Sequence, residues 1–219
     1  MRHAVIFDLD GTLLDTVEDL AYSANTALTE HGYPIHETEK YHYFVGKGAK
    51  NLIKNVLPEH TSEETKSEVL RRFGEIYANH WNVDTKPYAG ITELLAFLKE
   101  DGVGMAVISN KPHDRTLDAV DFYFPRMFDV VFGERPNAPL KPDPTSIYEI
   151  LTILDVKRED VIYIGDSGSD MKTGRNADVY SIGAVWGFRT AEELTDNGAD
   201  ILAYTAYEAK KIIADRFFG

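Results

Sequence analysis

Short apolar runs alternate with helical patterns along most of this 219-residue chain, and this alternation limits the possible folds more than any other feature. The runs are rich in Val and Ile and are too short to be helices. They occupy residues 4–9, 103–109, 128–132, 161–165 and 179–185. Helical spacing of apolar residues covers 91–100, 144–154 and 205–217. This pattern is typical of a parallel sheet covered on both faces, so we predict an α/β, Rossmann-like core.

One long segment interrupts the alternation with helical patterns only. These patterns cover residues 17–31, 49–57 and 63–81. The chain then returns through a stretch with proline and glycine, which favour a linker. We therefore predict a small all-helical domain inserted at residues 16–82, whereas residues 1–15 and 83–219 form the α/β core.

The charge of the chain limits its partners. With 23 basic and 36 acidic residues, its formal net charge is −13. Such a surface repels nucleic acid and anionic membranes, and no basic run offsets it, so we expect neither as a partner. No stretch approaches the roughly 20 apolar residues of a membrane span, and the acidic N-terminus is unlike a signal peptide, so a cytoplasmic location is expected. The absence of cysteine excludes thiolate metal sites and cysteine nucleophiles.

The first motif with chemical potential is Asp8-Leu9-Asp10-Gly11-Thr12, at the end of the first predicted strand. Side chains alternate along a strand, so Asp8 and Asp10 are expected on the same side. Two such carboxylates repel each other unless a cation lies between them, and oxygen ligands suit Mg²⁺. One carboxylate can attack phosphorus while the other transfers a proton. Because Asp-Gly is also common in solvated turns, the motif alone does not decide between chemistry and a turn.

Two further motifs contain groups that can hold a phosphate. Ser109-Asn110 follows the second predicted strand, where a hydroxyl and an amide can bind phosphate oxygens, although a turn before Pro112 also explains the pair. Lys141 lies in the segment Leu-Lys-Pro-Asp-Pro, whose prolines stiffen the backbone around it. Its charge would hold an incoming phosphate and offset clustered carboxylates, although most lysines lie on the surface.

The fourth motif, Gly165-Asp166-Ser167-Gly168-Ser169-Asp170, follows the strand predicted at 161–165. Carboxylates in this position lie where open α/β sheets bind ligands. The small residues between them let the loop fold close to a metal ion. Ser169 or Asp170 would also suit as the N-cap of a helix over 171–177, and the two functions are compatible.

Together, the four motifs in this order resemble those of the haloacid dehalogenase superfamily of phosphatases, in particular its phosphoglycolate phosphatase-like branch. The resemblance covers nearly the whole chain, and the inserted helical domain corresponds to the cap of that family. Three further segments are similar to this branch, namely VGKGAKNLI (45–53), SNKP (109–112) and VWGFR (185–189). One departure is Asp178, which stands where glycine is usual and affects packing more than chemistry.

The resemblance implies a phosphatase that uses Mg²⁺ and forms an aspartyl-phosphate intermediate. Asp8 would be the nucleophile, Asp10 the general acid and base, and Lys141 a third catalytic residue. The implied metal residues are Asp8, Asp10 (through its backbone carbonyl), Asp166 and Asp170, the last either directly or through water. The residues assigned to substrate binding are Gly11, Thr12, Lys47, Ser109 and Asn110.

The assignment of Lys47, the cap residue in that list, rests on a separate observation. It lies between two glycines, so the backbone there can bring its charge close to a carboxylate such as that of 2-phosphoglycolate. The alternative is an ordinary solvated lysine.

Several other functions remain open from the sequence. The same superfamily contains pyrophosphatases, phosphonatases and sugar phosphomutases, and the cap lysines do not exclude a phosphonatase. From different classes, a receiver-like signalling domain and a catalytically silent binding protein are alternatives, although the helical insert and the complete set of motif residues count against them. We expect a small phosphate ester as the partner and a monomer or homodimer as the assembly.

Overall fold

The computed structural model describes residues 3–219. Its strands are β1 (Ala4–Phe7), β2 (Leu14–Asp15), β3 (Lys86–Pro87), β4 (Gly104–Pro112), β5 (Val130–Glu134), β6 (Val161–Gly165), β7 (Tyr180–Ala184) and β8 (Ile201–Ala203). Its α-helices are α1 (Val17–Glu30), α2 (Thr38–Phe44), α3 (Ala49–Val56), α4 (Glu63–Ala78), α5 (Ile91–Glu100), α6 (His113–Tyr123), α7 (Thr145–Leu154), α8 (Gly168–Ala177), α9 (Ala191–Asp196) and α10 (Ala206–Phe218). Within the described residues, no helix combines the length and apolar character needed to cross a membrane.

Six strands form one parallel sheet in the order β5-β4-β1-β6-β7-β8. β1 lies at its centre, with Phe7 opposite Val107 of β4 and Ile164 of β6. Because these strands run in the same direction, their carboxyl ends lie side by side, where open α/β sheets bind ligands. The polar motifs that follow the three strands are thereby brought together. The predicted α/β, Rossmann-like core is confirmed.

Both faces of the sheet are covered. Val5 and Phe7 of β1 belong to one apolar cluster, to which α5, α6 and α10 contribute. Ala4 and Ile6 belong to a second cluster on the other face, to which α7 and α8 contribute. A strand buried on both faces needs an apolar side chain at every position. This requirement explains why β1 is a continuous apolar run in the sequence.

Helices α1–α4 pack around a separate apolar cluster that includes Leu28, Tyr41 and Phe73. No strand occurs between α1 and α4, as the helical patterns predict. The chain leaves the core through β2 and returns through β3, and these two short strands pair antiparallel. We propose residues 16–82 as the cap domain and use the word cap for them below.

Some elements differ from the sequence-based prediction. β1 ends at Phe7 rather than at residue 9, so both aspartates of the first motif lie in the loop beyond it. Helices α2, α6 and α9 and strands β2, β3 and β8 were not predicted. In α6 the apolar Leu117 and Phe122 are exposed, so its apolar residues do not mark one buried face. β8 has only three residues, and Ile201 is exposed, which leaves almost no apolar run to detect.

A buried carboxylate fastens the return of the chain from cap to core. Asp19 of α1 is fully buried. It accepts hydrogen bonds from the backbone N–H groups of Val83, Asp84 and Thr85 at 2.9–3.2 Å, and from the Thr85 hydroxyl at 2.7 Å. Since buried N–H groups need acceptors, this carboxylate fixes the segment that precedes β3.

We therefore expect Asp19→Ala to lower the free energy of unfolding by about 3 kcal/mol, because the two buried donors of Thr85 and the part-buried N–H groups of Val83 and Asp84 lose their acceptor at once. In a chain of this length that corresponds to a fall in Tm of roughly 6–12 °C. Asp121→Ala, at an exposed position on α6, is the matched control and should change stability by less than about 0.5 kcal/mol. Equal Tm values for the two variants would contradict this assignment.

Candidate active site

A cavity of about 360 Å³ lies between the carboxyl ends of the central strands and the cap. On its core side, Asp8 and Asp10 follow β1, and Ser109 lies near the end of β4. Lys141 lies in the loop before α7. The other wall comes from α1, α3, α4 and the loop that precedes α3. Three of the four sequence motifs therefore meet at one cavity, and the fourth lies directly beneath it.

Lys141 is the buried cation of the site. Its Nζ donates to Asp8 Oδ1 at 2.6 Å, to Asp170 Oδ1 at 2.7 Å and to the carbonyl of Ile108 at 3.2 Å. Burial opposes its charge, but Asp170 and Asp8 hold the pKa of Lys141 above its usual value. The lysine is therefore charged and links the loop that follows β1 to helix α8, which follows β6.

Both carboxylate oxygens of Asp170 already accept hydrogen bonds from within the protein. Its Oδ1 accepts from Lys141 and from the Tyr163 hydroxyl at 2.8 Å, and its Oδ2 accepts from the backbone N–H and the hydroxyl of Ser167 at 3.0 and 2.6 Å. Burial raises its pKa, but Lys141 and these hydrogen bonds bring the pKa of Asp170 below its usual value. The predicted N-cap at Ser169 or Asp170 is wrong, since Ser167 caps a helix that begins at Gly168. Asp170 completes this capping box from the N3 position.

Asp166 lies on the floor of the site. It accepts from the Thr12 hydroxyl at 3.2 Å and from the backbone N–H of Phe188 at 2.8 Å. A Cβ added to Gly11 or to Gly187 would approach Asp166 atoms to 2.3 Å, so both positions require glycine for this close contact. Burial and the neighbouring charge of Asp170 raise the pKa of Asp166 to about 7.

Three carboxylates converge here. Asp8, Asp166 and Asp170 each place an oxygen within 4.8 Å of the others, and all three are buried. Burial, and then the charge of Asp170, raise the pKa of Asp8 well above its usual value despite the contact with Lys141. Such repulsion between oxygen donors fits a hard divalent cation such as Mg²⁺. Each oxygen of Asp170 already accepts two hydrogen bonds, whereas each oxygen of Asp166 accepts one, so Asp8 and Asp166 would be the better direct ligands.

The side chain of Asp10 lies outside this cluster. It faces Lys111, whose Nζ donates to its two oxygens at 2.9 and 3.1 Å and to the Tyr77 hydroxyl of the cap at 2.7 Å. Asp8 and Asp10 therefore each have their own lysine instead of sharing one cation. Lys111 lies in the segment SNKP (109–112) but was not predicted as a site residue. Its position two residues after Ser109, at the end of a buried strand, was the available signal.

The remaining predicted binding residues have different surroundings. Ser109 is buried and lines the cavity. Asn110 also lines it, but its amide donates to the carbonyls of Gly46 and Lys141 and accepts from the backbone N–H of Lys141 at 3.0 Å. Asn110 thus connects the loop before α3 to the loop that contains Lys141.

Lys47, the cap residue predicted to bind the substrate, lies farther from the cavity than expected. Lys47 is exposed and lies outside the lining of the cavity, whereas Lys50, at the start of α3, is part of it. Two successive glycine turns carry the chain past position 47, since Gly46 and Gly48 both have positive φ.

We expect the metal-free protein to lose stability between about pH 4 and pH 7 more steeply than Asp166→Asn does. The raised pKa means that the folded state binds more protons than the unfolded state in this range. The stabilisation is complete below about pH 4 and is lost as the pH rises through about 7. At about 1.4 kcal/mol per pKa unit, the difference is of order 2–4 kcal/mol.

Chemical denaturation in the presence of a chelator at several pH values measures this difference. Asp121→Asn, on the exposed face of α6, is the control and should follow the wild-type curve. Parallel curves for the wild type and Asp166→Asn would refute the electrostatic account of Asp166.

Comparison with known proteins identifies the family of this chain. The family model of haloacid dehalogenase-like hydrolases matches residues 5–184. The phosphoglycolate phosphatase of Nitrosospira multiformis is 31% identical over 220 residues, which cover 96% of this chain and 95% of that protein. Phosphoglycolate phosphatase 1 of Pseudomonas aeruginosa is 32% identical over 225 residues, which cover 96% of this chain and 82% of that protein.

A solved structure gives the same result for the fold. A crystal structure from Lactobacillus delbrueckii subsp. bulgaricus has a TM-score of 0.92 and 32% sequence identity, and the match covers 97% of this chain and 99% of that one. The sheet order, the inserted helices and the four motifs occur together over almost the whole of this chain. The chain therefore belongs to the haloacid dehalogenase-like hydrolases, in the branch that contains the phosphoglycolate phosphatases.

Proposed function

We propose that this phosphatase hydrolyses small phosphate monoesters in a Mg²⁺-dependent reaction that passes through an aspartyl-phosphate on Asp8. The observation that carries the proposal is the convergence of Asp8, Asp166 and Asp170 around Lys141 at the base of a cavity. A buried carboxylate beside a buried ammonium group can act as a nucleophile towards a bound phosphoryl group. The family supports hydrolysis as the outcome.

Asp8 and Asp10 divide the chemistry between them in this proposal. Asp8 Oδ attacks phosphorus, the new O–P bond forms, and the bond from phosphorus to the ester oxygen breaks. Asp10 gives its proton to the departing alkoxide. Asp10 then takes a proton from a water molecule that attacks the aspartyl-phosphate, which releases inorganic phosphate and regenerates Asp8.

The other residues bind and orient the phosphoryl group. Lys141 offsets its negative charge, and the Ser109 hydroxyl is placed to donate to one of its oxygens. Lys111 holds both oxygens of Asp10 and therefore keeps that carboxylate directed into the cavity. Mg²⁺ held by Asp8, Asp166 and the Asp10 carbonyl, with Asp170 supporting the group, would neutralise charge on the phosphoryl oxygens.

The names of the relatives make 2-phosphoglycolate the first substrate to test. A carboxylate on the substrate needs a cationic partner in the cap. Lys50 lines the cavity and is our first candidate for this partner. Lys47 is exposed outside the lining, so it would contact the substrate only after a movement of the loop before α3.

Asp8→Asn is expected to lower kcat for the best phosphate ester by roughly 1,000-fold or more, because an amide oxygen is a poor nucleophile. Phosphate release measures the turnover, and circular dichroism checks the fold. Asp15→Asn, on β2 and outside the cavity lining, is the matched control and should retain wild-type turnover. An Asp8→Asn protein that keeps a tenth of wild-type kcat would exclude Asp8 as the nucleophile.

Removal of divalent cations should abolish turnover, and added Mg²⁺ should restore it, because the three buried carboxylates repel one another without a cation. The Mg²⁺-induced rise in Tm gives a second measurement that does not depend on turnover. Asp166→Ala should reduce this rise more than Asp170→Ala, since the oxygens of Asp170 already accept four hydrogen bonds. Full activity after rigorous chelation, or the reverse order of the two variants, would contradict the proposal.

A further inference from the structure

The cap side of the cavity is apolar beyond the reach of the reacting carboxylates. Its lining side chains come from α1, α3, α4 and the loop before α3, and they are Leu20, Val45, Leu52, Leu70 and Phe73. The same cavity contains Asp8 and Asp10, so the apolar wall is continuous with the proposed reaction site. Apolar lining with a few polar groups at one end is the usual form of a pocket for an organic ligand.

Gly74 lies on this wall, in the interior of α4. Glycine in a helix costs about 1 kcal/mol relative to alanine. Neither conformation nor packing accounts for it here, since the residue is helical and a Cβ added to it would meet no atom within 4 Å. In contrast, Gly11 and Gly187 are required by contacts within the protein. Gly74 is exposed and lines the cavity, so the open space beside it is accessible to a ligand that enters from solvent.

Two cations of the cavity lining, Arg115 and Lys111, already have carboxylate partners. Arg115 pairs with Asp118 at 3.1 Å and with Asp114 at 3.5 Å. Lys111 pairs with Asp10. Cations that are neutralised within the protein place no requirement for an anion on the organic part of a substrate. Lys50, a further cation of the lining, is an exposed residue at the start of α3, and the comparison with 2-phosphoglycolate below measures its contribution.

We propose that the preferred substrates are phosphate monoesters whose organic group is an apolar chain or ring of about six carbons, which lies along α4 beside Leu70, Phe73 and Gly74. This inference rests on the proposed phosphatase activity and specifies its substrate class. The cavity of about 360 Å³ agrees with it, because pockets of that size hold ligands much larger than the two-carbon acid of 2-phosphoglycolate.

Hexyl phosphate and ethyl phosphate test the inference, since their alkoxide leaving groups are chemically alike and differ only in chain length. For the wild type with Mg²⁺, kcat/KM for hexyl phosphate at submillimolar concentration should exceed that for ethyl phosphate by at least about tenfold, because burial of the additional methylene groups favours the longer chain. It should also exceed kcat/KM for 2-phosphoglycolate.

Variants at Gly74 test where the hexyl group of the substrate binds. Gly74→Leu fills the open space and should lower the hexyl-to-ethyl ratio of kcat/KM by at least about fivefold. Gly74→Ala should raise Tm by roughly 2–4 °C, because alanine favours the helix and meets no neighbour. Glu68→Leu is the matched control, since it introduces the same side chain at an exposed position of α4 outside the cavity, and it should leave the ratio unchanged.

The outcomes separate the two proposals. If the wild type hydrolyses none of the three esters with Mg²⁺ present, the proposed function itself fails. If it hydrolyses 2-phosphoglycolate at least as efficiently as hexyl phosphate, or if Gly74→Leu retains the wild-type ratio while remaining folded, the phosphatase proposal stands and the apolar substrate class is wrong.

Discussion

The buried ammonium group of Lys141 is the interaction on which the site depends. It lies between Asp8, which follows β1, and Asp170, which lies in α8, and it also binds the carbonyl of Ile108 on β4. Removing two carboxylates and an ammonium group from water carries a large desolvation cost, which only close contacts and additional hydrogen bonds offset. Those contacts are present, since Asn110 binds the backbone of Lys141 on both its N–H and its carbonyl. Three neighbouring strands and the loop before α7 are consequently fixed relative to one another by charge.

Close packing of the backbone around the carboxylates follows from the same constraint. Asp166 and Asp170 leave no space for side chains at three nearby glycines, because a Cβ at Gly11, Gly165 or Gly187 would approach carboxylate-bearing residues to 2.3 Å. The protein therefore concentrates negative charge at a place where it also excludes water. Repulsion in this arrangement raises the pKa of Asp166 and of Asp8, and a cation that relieves it would stabilise the fold and assemble the site in one step.

The sequence was most informative where one physical requirement acts on consecutive residues. Burial on both faces makes β1 and β6 apolar throughout, so the strands and the order of the polar loops could be predicted, and with them the meeting of Asp8, Lys141 and Asp166. Elements stabilised by a few contacts from distant parts of the chain left no such pattern, as with the three residues of β8 and the mixed surface of α6. Lys111 was missed although it lies in the segment SNKP (109–112), because nothing in its local sequence indicates Asp10 and Tyr77, 101 and 34 positions away, as its partners.

The partners of the two motif aspartates show how the site divides between the core and the cap. Asp8 contacts Lys141, which is held entirely by core elements, whereas Asp10 contacts Lys111, which also binds Tyr77 of α4 in the cap. Phosphoryl transfer to Asp8 would thus depend on the rigid sheet, while protonation of the leaving group by Asp10 would depend on the position of α4. Because α4 also forms the apolar wall beside the organic group, a substrate that packs against this helix would stabilise the cap in the position that orients Asp10. Recognition of the organic group and proton transfer to it are thereby connected through Lys111.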